Sequence, residues 1–209
     1  MRDPALVRSI GAPEMPPLRL PSTPEARVPV IAAVLSAIRE SDTAFEATSV
    51  LRELPGRYLA VRRAVDQRDD ARLELYLTPA LLEQWRLSRP PEAEQTAGSG
   101  DPSVQEARLV WAERLLWEDR LTVGIDSLTT AGEEVHALTE YWTLARRRGV
   151  QTPSGPAPTE CPSCGAPVGA GEDVCRYCEA ELPGALHGWL LDRVDEDVDW
   201  YEGPAGFVV

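Results

Sequence analysis

The sequence contains no lysine and no asparagine, so all 21 of its positive charges are arginines. The chain has 34 acidic residues, and its formal net charge is therefore −13. A protein that binds nucleic acid generally needs a basic face for its phosphate contacts. The shortage of positive charge therefore predicts that nucleic acid is not a partner.

Long hydrophobic runs are also missing. The most apolar stretch, residues 28–38, is about half as long as the roughly 20 residues that a membrane-spanning helix needs. The first 17 residues contain prolines where a secretory signal would have an apolar run. These two absences predict a cytoplasmic protein, either free or peripheral to the inner face of the membrane.

Composition divides the chain into unequal parts. Hydrophobic residues make up 43% of the 209 residues, enough for one ordinary domain with a core and a small appendage. Six prolines in residues 1–27 predict a flexible arm. The remaining parts are a main domain at 28–148, a linker at 149–160, a cysteine ribbon at 161–182 and an acidic segment at 183–209.

The main domain begins with helical periodicity and ends with strand alternation. Apolar residues three and four positions apart predict a helix from Val28 onward, and Pro55-Gly56 is expected to break the next helix. Three alternating segments predict strands, at 104–117 (with a bulge near 112–114), 121–125 and 135–146. Helices followed by a strand meander indicate an α+β fold.

All four cysteines lie close together as two C-x-x-C pairs. They are Cys161, Cys164, Cys175 and Cys178. Two such pairs are the usual ligands of a tetrahedral Zn²⁺, with Zn–S bonds of about 2.3 Å. Ordering the segment costs roughly 1–2 kcal/mol per residue, whereas a structural zinc contributes on the order of 10–16 kcal/mol. We therefore predict one structural zinc ion per chain.

Other uses of four cysteines remain as alternatives. Two disulfides are typical of secreted chains, a redox dithiol belongs to thioredoxin-like units, and a catalytic zinc keeps one position open for water. His187, just after the ribbon, would be a substitute ligand. Four cysteines close the metal shell, which favours the structural role. Glu179 follows the second pair where glycine would ease a left-handed turn.

Further motifs, taken in order with the ribbon, carry a resemblance to a known family. They are SDTAF at 41–45, RAVDQRDDARLELYLTPALLEQW at 63–85, EYWTLARRRG at 140–149 and GWLLDRV at 188–194. Over residues 40–195 the chain resembles bacterial proteins of the mitochondrial import translocase subunit 44-like domain family. The resemblance implies a cone-shaped fold in which helices wrap a curved antiparallel sheet, similar to the nuclear transport factor 2-like and cystatin-like architecture.

The resemblance also implies association rather than catalysis. The mitochondrial namesake is a peripheral inner-membrane scaffold that binds lipid and recruits the import-motor chaperone. We therefore expect a non-enzymatic adaptor or scaffold that binds one or more proteins and carries a structural zinc ribbon.

Two further hypotheses come from the same sequence. A cone has an interior, and Trp111, Trp142, His136 and Glu140 are candidates to line a pocket there. His136 and Glu140 share one strand face and are candidates for an acid–base pair in this pocket, so the alternative is a small-molecule-binding or enzymatic pocket. The other hypothesis is peripheral lipid binding through the helices at 28–54.

Overall fold

A computed structural model describes most of the chain. The described residues are 18–21, 23–88, 102–131, 134–154, 158–168, 172, 174–196 and 198–201. Within them the helices come before the main sheet, and this order confirms the α+β class predicted from the sequence. No helix in these ranges is long and apolar enough to cross a membrane.

The described part of the chain forms four helices and six strands. The helices are α1 (Pro24–Ser41), α2 (Ala47–Asp66), α3 (Asp70–Leu73) and α4 (Pro79–Ser88). The strands are β1 (Leu18–Pro21), β2 (Ser103–Arg114), β3 (Glu118–Ala131), β4 (Glu134–Arg147), β5 (Trp189–Asp195) and β6 (Val198–Tyr201). Strands β2 to β5 form a curved, open antiparallel sheet in that order, and β1 pairs in parallel with β6.

Regular structure begins earlier than the sequence predicts. Helix α1 begins at Pro24 rather than at Val28, because Thr23 caps it by accepting a hydrogen bond from the Ala26 N–H at 3.3 Å and proline suits the first turn. Part of the predicted arm at 1–27 is therefore structured, since residues 18–21 form β1. Residues 1–17 lie outside the described ranges.

Helix α2 continues through Pro55 and Gly56, where the sequence predicts a break. A proline inside a helix removes one backbone hydrogen bond and costs about 3 kcal/mol. The helix offsets this cost by burying an apolar face against the sheet, with a side chain every three or four residues. The members of this face that are at most 1% exposed are Val50, Leu54, Tyr58, Val61 and Ala64.

The hairpin between β2 and β3 also differs from the prediction. Its turn comprises residues 115–117, which the sequence assigns to the first strand, and β3 already begins at Glu118. A register shift lies between Leu109 and Trp111 rather than near 112–114. A bulge bends its strand and adds twist, which contributes to the curvature of this sheet.

The two faces of the main sheet pack into different clusters, because side chains alternate along each strand. One face carries Val123, Trp142 and Leu191 and packs with α2 in the main core. The other face carries Trp111, which packs with Leu20 of β1 in a smaller cluster. Strand β1 thus covers part of the second face.

Candidate metal centre

The two cysteine pairs form two turns of the same construction. In the first turn, the Gly165 N–H donates to the Cys161 carbonyl at 2.8 Å, and the Cys161 N–H donates to the Ala166 carbonyl at 2.7 Å. The second turn repeats both bonds around Cys175, each at 2.9 Å. Such turns direct the two thiols of each pair towards a common point.

The residue after each pair has a left-handed backbone. Gly165 has φ 74° and Glu179 has φ 60°. Glycine adopts this conformation without steric cost, whereas other L-residues pay roughly 1–2 kcal/mol. The position anticipated from the sequence as unfavourable for Glu179 is therefore left-handed.

The four thiols form a cluster that suits a tetrahedral metal ion. All four sulfur atoms lie within 4.8 Å of one another, with Sγ–Sγ distances of 3.6 Å for Cys161–Cys178 and 3.7 Å for Cys164–Cys175. Sulfurs around a zinc ion with Zn–S bonds of about 2.3 Å would be about 3.8 Å apart. Disulfide sulfurs would be about 2.05 Å apart, and all four cysteines are free. The residues therefore fit a metal ion such as zinc.

Backbone amides favour the metal-binding form of one ligand. Burial raises the pKa of the Cys161 thiol, but hydrogen bonds from the N–H groups of Cys164 and Ser163 contribute to a net lowering to about 7. The Ser163 nitrogen lies 3.4 Å from the Cys161 sulfur. Because the thiolate is the form that binds metals, these amides help to prepare the site.

The described residues of the ribbon form little apolar core of their own. Its buried cluster contains one large aliphatic side chain, Leu182, beside Cys161 and Cys175. Val174 packs into the main core instead. Such a small cluster does not offset a backbone entropy of roughly 1–2 kcal/mol per residue, so a metal ion at the four thiols would stabilise the ribbon.

Helix α2 binds the backbone that follows the ribbon through two charged side chains. Glu53 Oε2 accepts the N–H groups of Ala185 at 2.8 Å and Leu186 at 3.3 Å. Arg57 donates to the Leu186 carbonyl at 3.2 Å and to the Trp189 carbonyl. Arg57 is only 2% exposed, and its one sign in the sequence is that it follows the spacing of the apolar face of α2.

A second buried ionic network joins α1 to β4. Arg146, which is 2% exposed, donates to Asp42 Oδ2 at 2.9 Å, and its guanidinium lies over the Trp189 ring at 4.6 Å. The Thr152 hydroxyl donates to the same carboxylate oxygen at 2.7 Å. Burial raises the pKa of Asp42, but the hydrogen bonds from Thr152 and Arg146 outweigh burial, so the net pKa is lowered. The run of three arginines at 146–148 gave no sign that its first member is buried.

Three of the four pocket candidates lie on one face of the sheet. His136, Glu140 and Trp142 alternate along β4 towards the main core, whereas Trp111 belongs to the cluster on the other face. The structure therefore does not bring all four residues together. His187, the substitute ligand, lies 3.1 Å from a carboxylate oxygen of Glu181 and is outside the thiol cluster.

Glu140 is fully buried and its carboxylate is engaged. The Tyr58 hydroxyl donates to Glu140 Oε2 at 2.6 Å, and Arg62 Nη1 lies 3.6 Å from Oε1. The Tyr58 ring also packs on Trp142, with ring centroids 5.0 Å apart. Burial raises the pKa of Tyr58, with the neighbouring Glu140 charge acting in the same direction. The hydroxyl is thus a hydrogen-bond donor to a buried carboxylate.

The β2–β3 turn presents apolar side chains to solvent. Leu116 is 71% exposed and Trp117 is 76% exposed, next to the partly exposed Leu115. The Arg148 N–H donates to the Trp117 carbonyl at 2.9 Å, and the Leu115 N–H donates to the Glu118 carbonyl at 2.8 Å. These bonds fix the backbone of the turn. We refer to residues 115–117 as the hairpin tip.

The helices proposed for lipid binding turn most of their apolar residues inward. Ile38, Val50 and Leu54 are at most 1% exposed, and Val28, at 63%, is the one large apolar side chain at 28–54 that is mostly exposed. Lipid binding through these helices stays a prediction.

Comparisons of the chain with protein-family models, with curated proteins and with solved structures found no match.

Proposed function

We propose that this protein is a non-enzymatic adaptor that binds protein partners through the hairpin tip. The observation that carries the proposal is the exposure of Leu116 and Trp117. Consecutive exposed apolar residues are unfavourable in a folded domain unless they serve an interaction. Tryptophan is also among the residues most enriched at energetically dominant interface positions.

The backbone of the tip is already ordered, which supports the same role. Its turn is fixed by the hydrogen bonds of Leu115 with Glu118 and of Trp117 with Arg148. A segment that is ordered before binding pays less conformational entropy when the complex forms. The tip is therefore suited to insert its tryptophan into an apolar pocket of a partner.

The family resemblance supports association as well. The motifs stand in the order that family members show, and helices followed by a curved antiparallel sheet suit a cone of the nuclear transport factor 2-like type. We propose on these grounds that the chain is a translocase-subunit-44-like adaptor.

We propose zinc as the metal of the thiol cluster, in a structural role. Support comes from the four-sulfur donor set, which is typical of structural zinc and leaves no coordination position for water. The ion would hold the two turns together in a zinc ribbon, and the ribbon packs against α2. Four free thiols also suit a reducing compartment such as the cytoplasm.

Site-specific photo-crosslinking tests the adaptor proposal. A photoreactive residue in place of Trp117 should form discrete crosslinks to one or a few proteins in cells of the native host. A matched control carries the same residue in place of Leu87, which is 79% exposed on helix α4. Crosslinks at position 117 no stronger or more selective than those at position 87 would contradict the proposal.

The buried Glu140 favours a second candidate, a small-molecule site on the core side of the sheet. A carboxylate in a core, paired with Tyr58 and Arg62, is a feature shared by functional sites and structural networks. A thermal-shift screen against a metabolite collection distinguishes the two. A compound that stabilises the wild type but not Glu140→Gln supports a site, and no such compound supports a structural network.

A further inference from the structure

Helix α1 packs one face against the rest of the protein and leaves the opposite face exposed. Ile31, Val34, Leu35 and Ile38 lie in the main core or pack against it. The exposed residues of the helix repeat three and four positions apart, so they share one face. Between positions 26 and 38 these exposed residues, which we call the outer face of α1, are Val28, Pro29, Ala32, Ala33 and Ser36.

The outer face carries no charge, although 26% of the residues in the chain are charged. A helix on the surface of a protein ordinarily has charged or strongly polar residues on the side away from the core. The side chains of the outer face are short, and short side chains let a second helix approach to the lower end of the usual interaxial distance of about 8–10 Å. The outer face is therefore suited to contact another helix.

Opposite charges stand at the two ends of the outer face. Glu25 lies in the first turn of α1 and Arg39 in the last turn, and both are exposed. Within the part of the chain that the structure describes, neither side chain has an ion pair or a hydrogen bond. The two residues are 14 positions apart, which is about 21 Å along a helix.

This arrangement is complementary to a second copy of itself. Glu25 and Arg39 each lie seven positions from Ala32, so two antiparallel helices that cross at Ala32 place Glu25 of each copy opposite Arg39 of the other. A parallel pair would instead place like charges together. A two-fold axis makes both contacts from the same surface. We propose that the outer face of α1 is a homodimer interface, in which two copies of this chain pair antiparallel about Ala32.

Glu40, which is also exposed, does not oppose this pairing. At about 100° per residue, Arg39 lies about 40° to one side of Glu25 and Glu40 lies about 60° to the other side. A two-fold axis in the plane of the interface brings each side of the face against the same side of the partner. Glu25 is therefore closer to Arg39 of the other copy than to Glu40.

The size of the contact determines how strong the dimer should be. One face of a single helix, about four turns long, is at the small end of specific interfaces, and exposed ion pairs add little affinity each. We therefore expect a dissociation constant in about the micromolar range, so the dimer should form at protein concentrations of tens of micromolar.

Dimer formation would give the assembly two hairpin tips. Arg114, which directly precedes the tip, donates hydrogen bonds to the Ala37 carbonyl and, at 2.8 Å, to the Ser41 hydroxyl. The tip thus lies near the C-terminal end of α1, and an antiparallel pair about Ala32 places the two tips at opposite ends. A partner with two binding sites would then gain affinity from both tips. The dimer itself is inferred from α1 alone and does not depend on the role of the tip.

A charge swap tests the proposal, with sedimentation velocity of the full zinc-loaded chain as the measurement. The wild type should be mainly dimeric at about 100 μM. Glu25→Arg alone, or Arg39→Glu alone, makes both contacts repulsive and should raise the dissociation constant about tenfold. The double variant Glu25→Arg/Arg39→Glu should restore the wild-type value. Both substitutions oppose the helix macrodipole, so a more stable helix would not explain the restoration.

A second variant and a control make the test independent of the ion pairs. Ala32→Glu places two like charges at the two-fold axis and should abolish the dimer, and the monomer should still fold because residue 32 is exposed. Glu83→Arg reverses an exposed charge on helix α4, away from the outer face, and should sediment like the wild type. Circular dichroism should be the same for all variants.

Three outcomes overturn the proposal. They are a wild type that stays monomeric at 100 μM, a dimer that Ala32→Glu leaves unchanged, and a charge swap that fails to restore what the single reversals weaken. Crosslinking at position 117 gives a separate answer. Crosslinks from a monomeric protein would leave the adaptor role standing and remove the dimer, whereas a dimer without crosslinks would remove the tip as the adaptor surface.

Discussion

The ribbon and the α+β domain are stabilised by different means within one chain. The domain buries large side chains to less than 2% exposure, among them Trp142, Trp189 and Phe45. Among its described residues, the ribbon's own buried cluster contains one large aliphatic residue, Leu182, beside two of its cysteines, and Val174 packs into the main core instead. The difference teaches that hydrophobic burial is sufficient to stabilise the α+β domain, whereas the stability of the ribbon depends on what its four thiols bind.

Removal of the metal ion should have the largest effect on stability, and this effect should be confined to the ribbon. A Cys161→Ser/Cys164→Ser variant, or the wild type with a chelator, loses metal-binding free energy on the order of 10–16 kcal/mol. Hydrogen exchange should show the amides of Gly165 and Glu179 unprotected while those of β3 and β4 stay protected. Native mass spectrometry should show one zinc ion per wild-type chain and none in the variant. Unchanged protection of the ribbon amides after metal removal would contradict the conclusion that the ribbon depends on its metal ion.

A substitution in the buried ionic network should destabilise the α+β domain and leave the metal site intact. Asp42→Asn removes the carboxylate that is hydrogen-bonded to the buried Arg146 guanidinium, and loss of one partner of a buried ion pair typically costs about 3–5 kcal/mol. Urea unfolding followed by tryptophan fluorescence measures the loss. Glu74→Gln, which removes a partner of Arg86 on the surface, is the matched control and should change the stability little. If Asp42→Asn changed the free energy of unfolding as little as Glu74→Gln does, the buried network would be dispensable for stability.

The ion pair of Asp42 and Arg146 makes the stability of the domain depend on pH. The folded-state pKa of Asp42 is below the ordinary value of 3.8, so its stabilising contribution is present above that value. The contribution is lost as the pH falls through the lower folded-state pKa. The stability gap between wild type and Asp42→Asn should therefore narrow only in strongly acidic solution.

A smaller effect is expected where the two parts meet. Glu53→Ala leaves the buried N–H groups of Ala185 and Leu186 without their acceptor, at about 1–3 kcal/mol. Hydrogen exchange should rise at these two amides and not at the cysteine turns, because metal binding does not involve Glu53. Glu83→Ala on the exposed side of α4 is the control. A loss of zinc from the Glu53 variant would show that the two parts are coupled more tightly than these contacts imply.

The smallest predicted effect concerns the left-handed position of the two cysteine turns, which is glycine in one turn and glutamate in the other. Glu179→Gly should stabilise the zinc-bound ribbon by about 1 kcal/mol, because glycine adopts the left-handed backbone freely. Gly165→Ala should destabilise it by a similar amount for the same reason. Competition with a chromogenic chelator reports both changes as opposite shifts in zinc affinity. Shifts of the same sign would mean that backbone conformation is not what distinguishes the turns.

Features that depend on neighbouring residues were predictable from the sequence. The spacing of the cysteines identified the four thiols that meet in space, and periodicity identified helices followed by strands. The failures involve long-range packing. In α2, burial of the apolar face outweighs the cost of Pro55, so the helix does not end there. Residues 115–117 are apolar and would be expected to extend the strand, but they form a turn.

Contacts between distant residues were not predictable for a similar reason. Asp42 and Arg146 are 104 positions apart, and Arg57 binds a carbonyl 132 positions away. Nothing in the immediate sequence of these residues distinguishes them from surface charges, apart from the position of Arg57 on an apolar face. The metal ligands are local and the buried charges are not.

The parallel pairing of β1 with β6 has a mechanical consequence. Residues 18–21 and 198–201 run side by side in the same direction. A force that pulls residue 18 backwards along the chain and residue 201 forwards therefore slides one strand past the other, and all hydrogen bonds of the pair carry the load together. Under tension this short pair acts as a shear clamp, so the protein should resist stretching between those two positions more strongly than a pair opened one bond at a time.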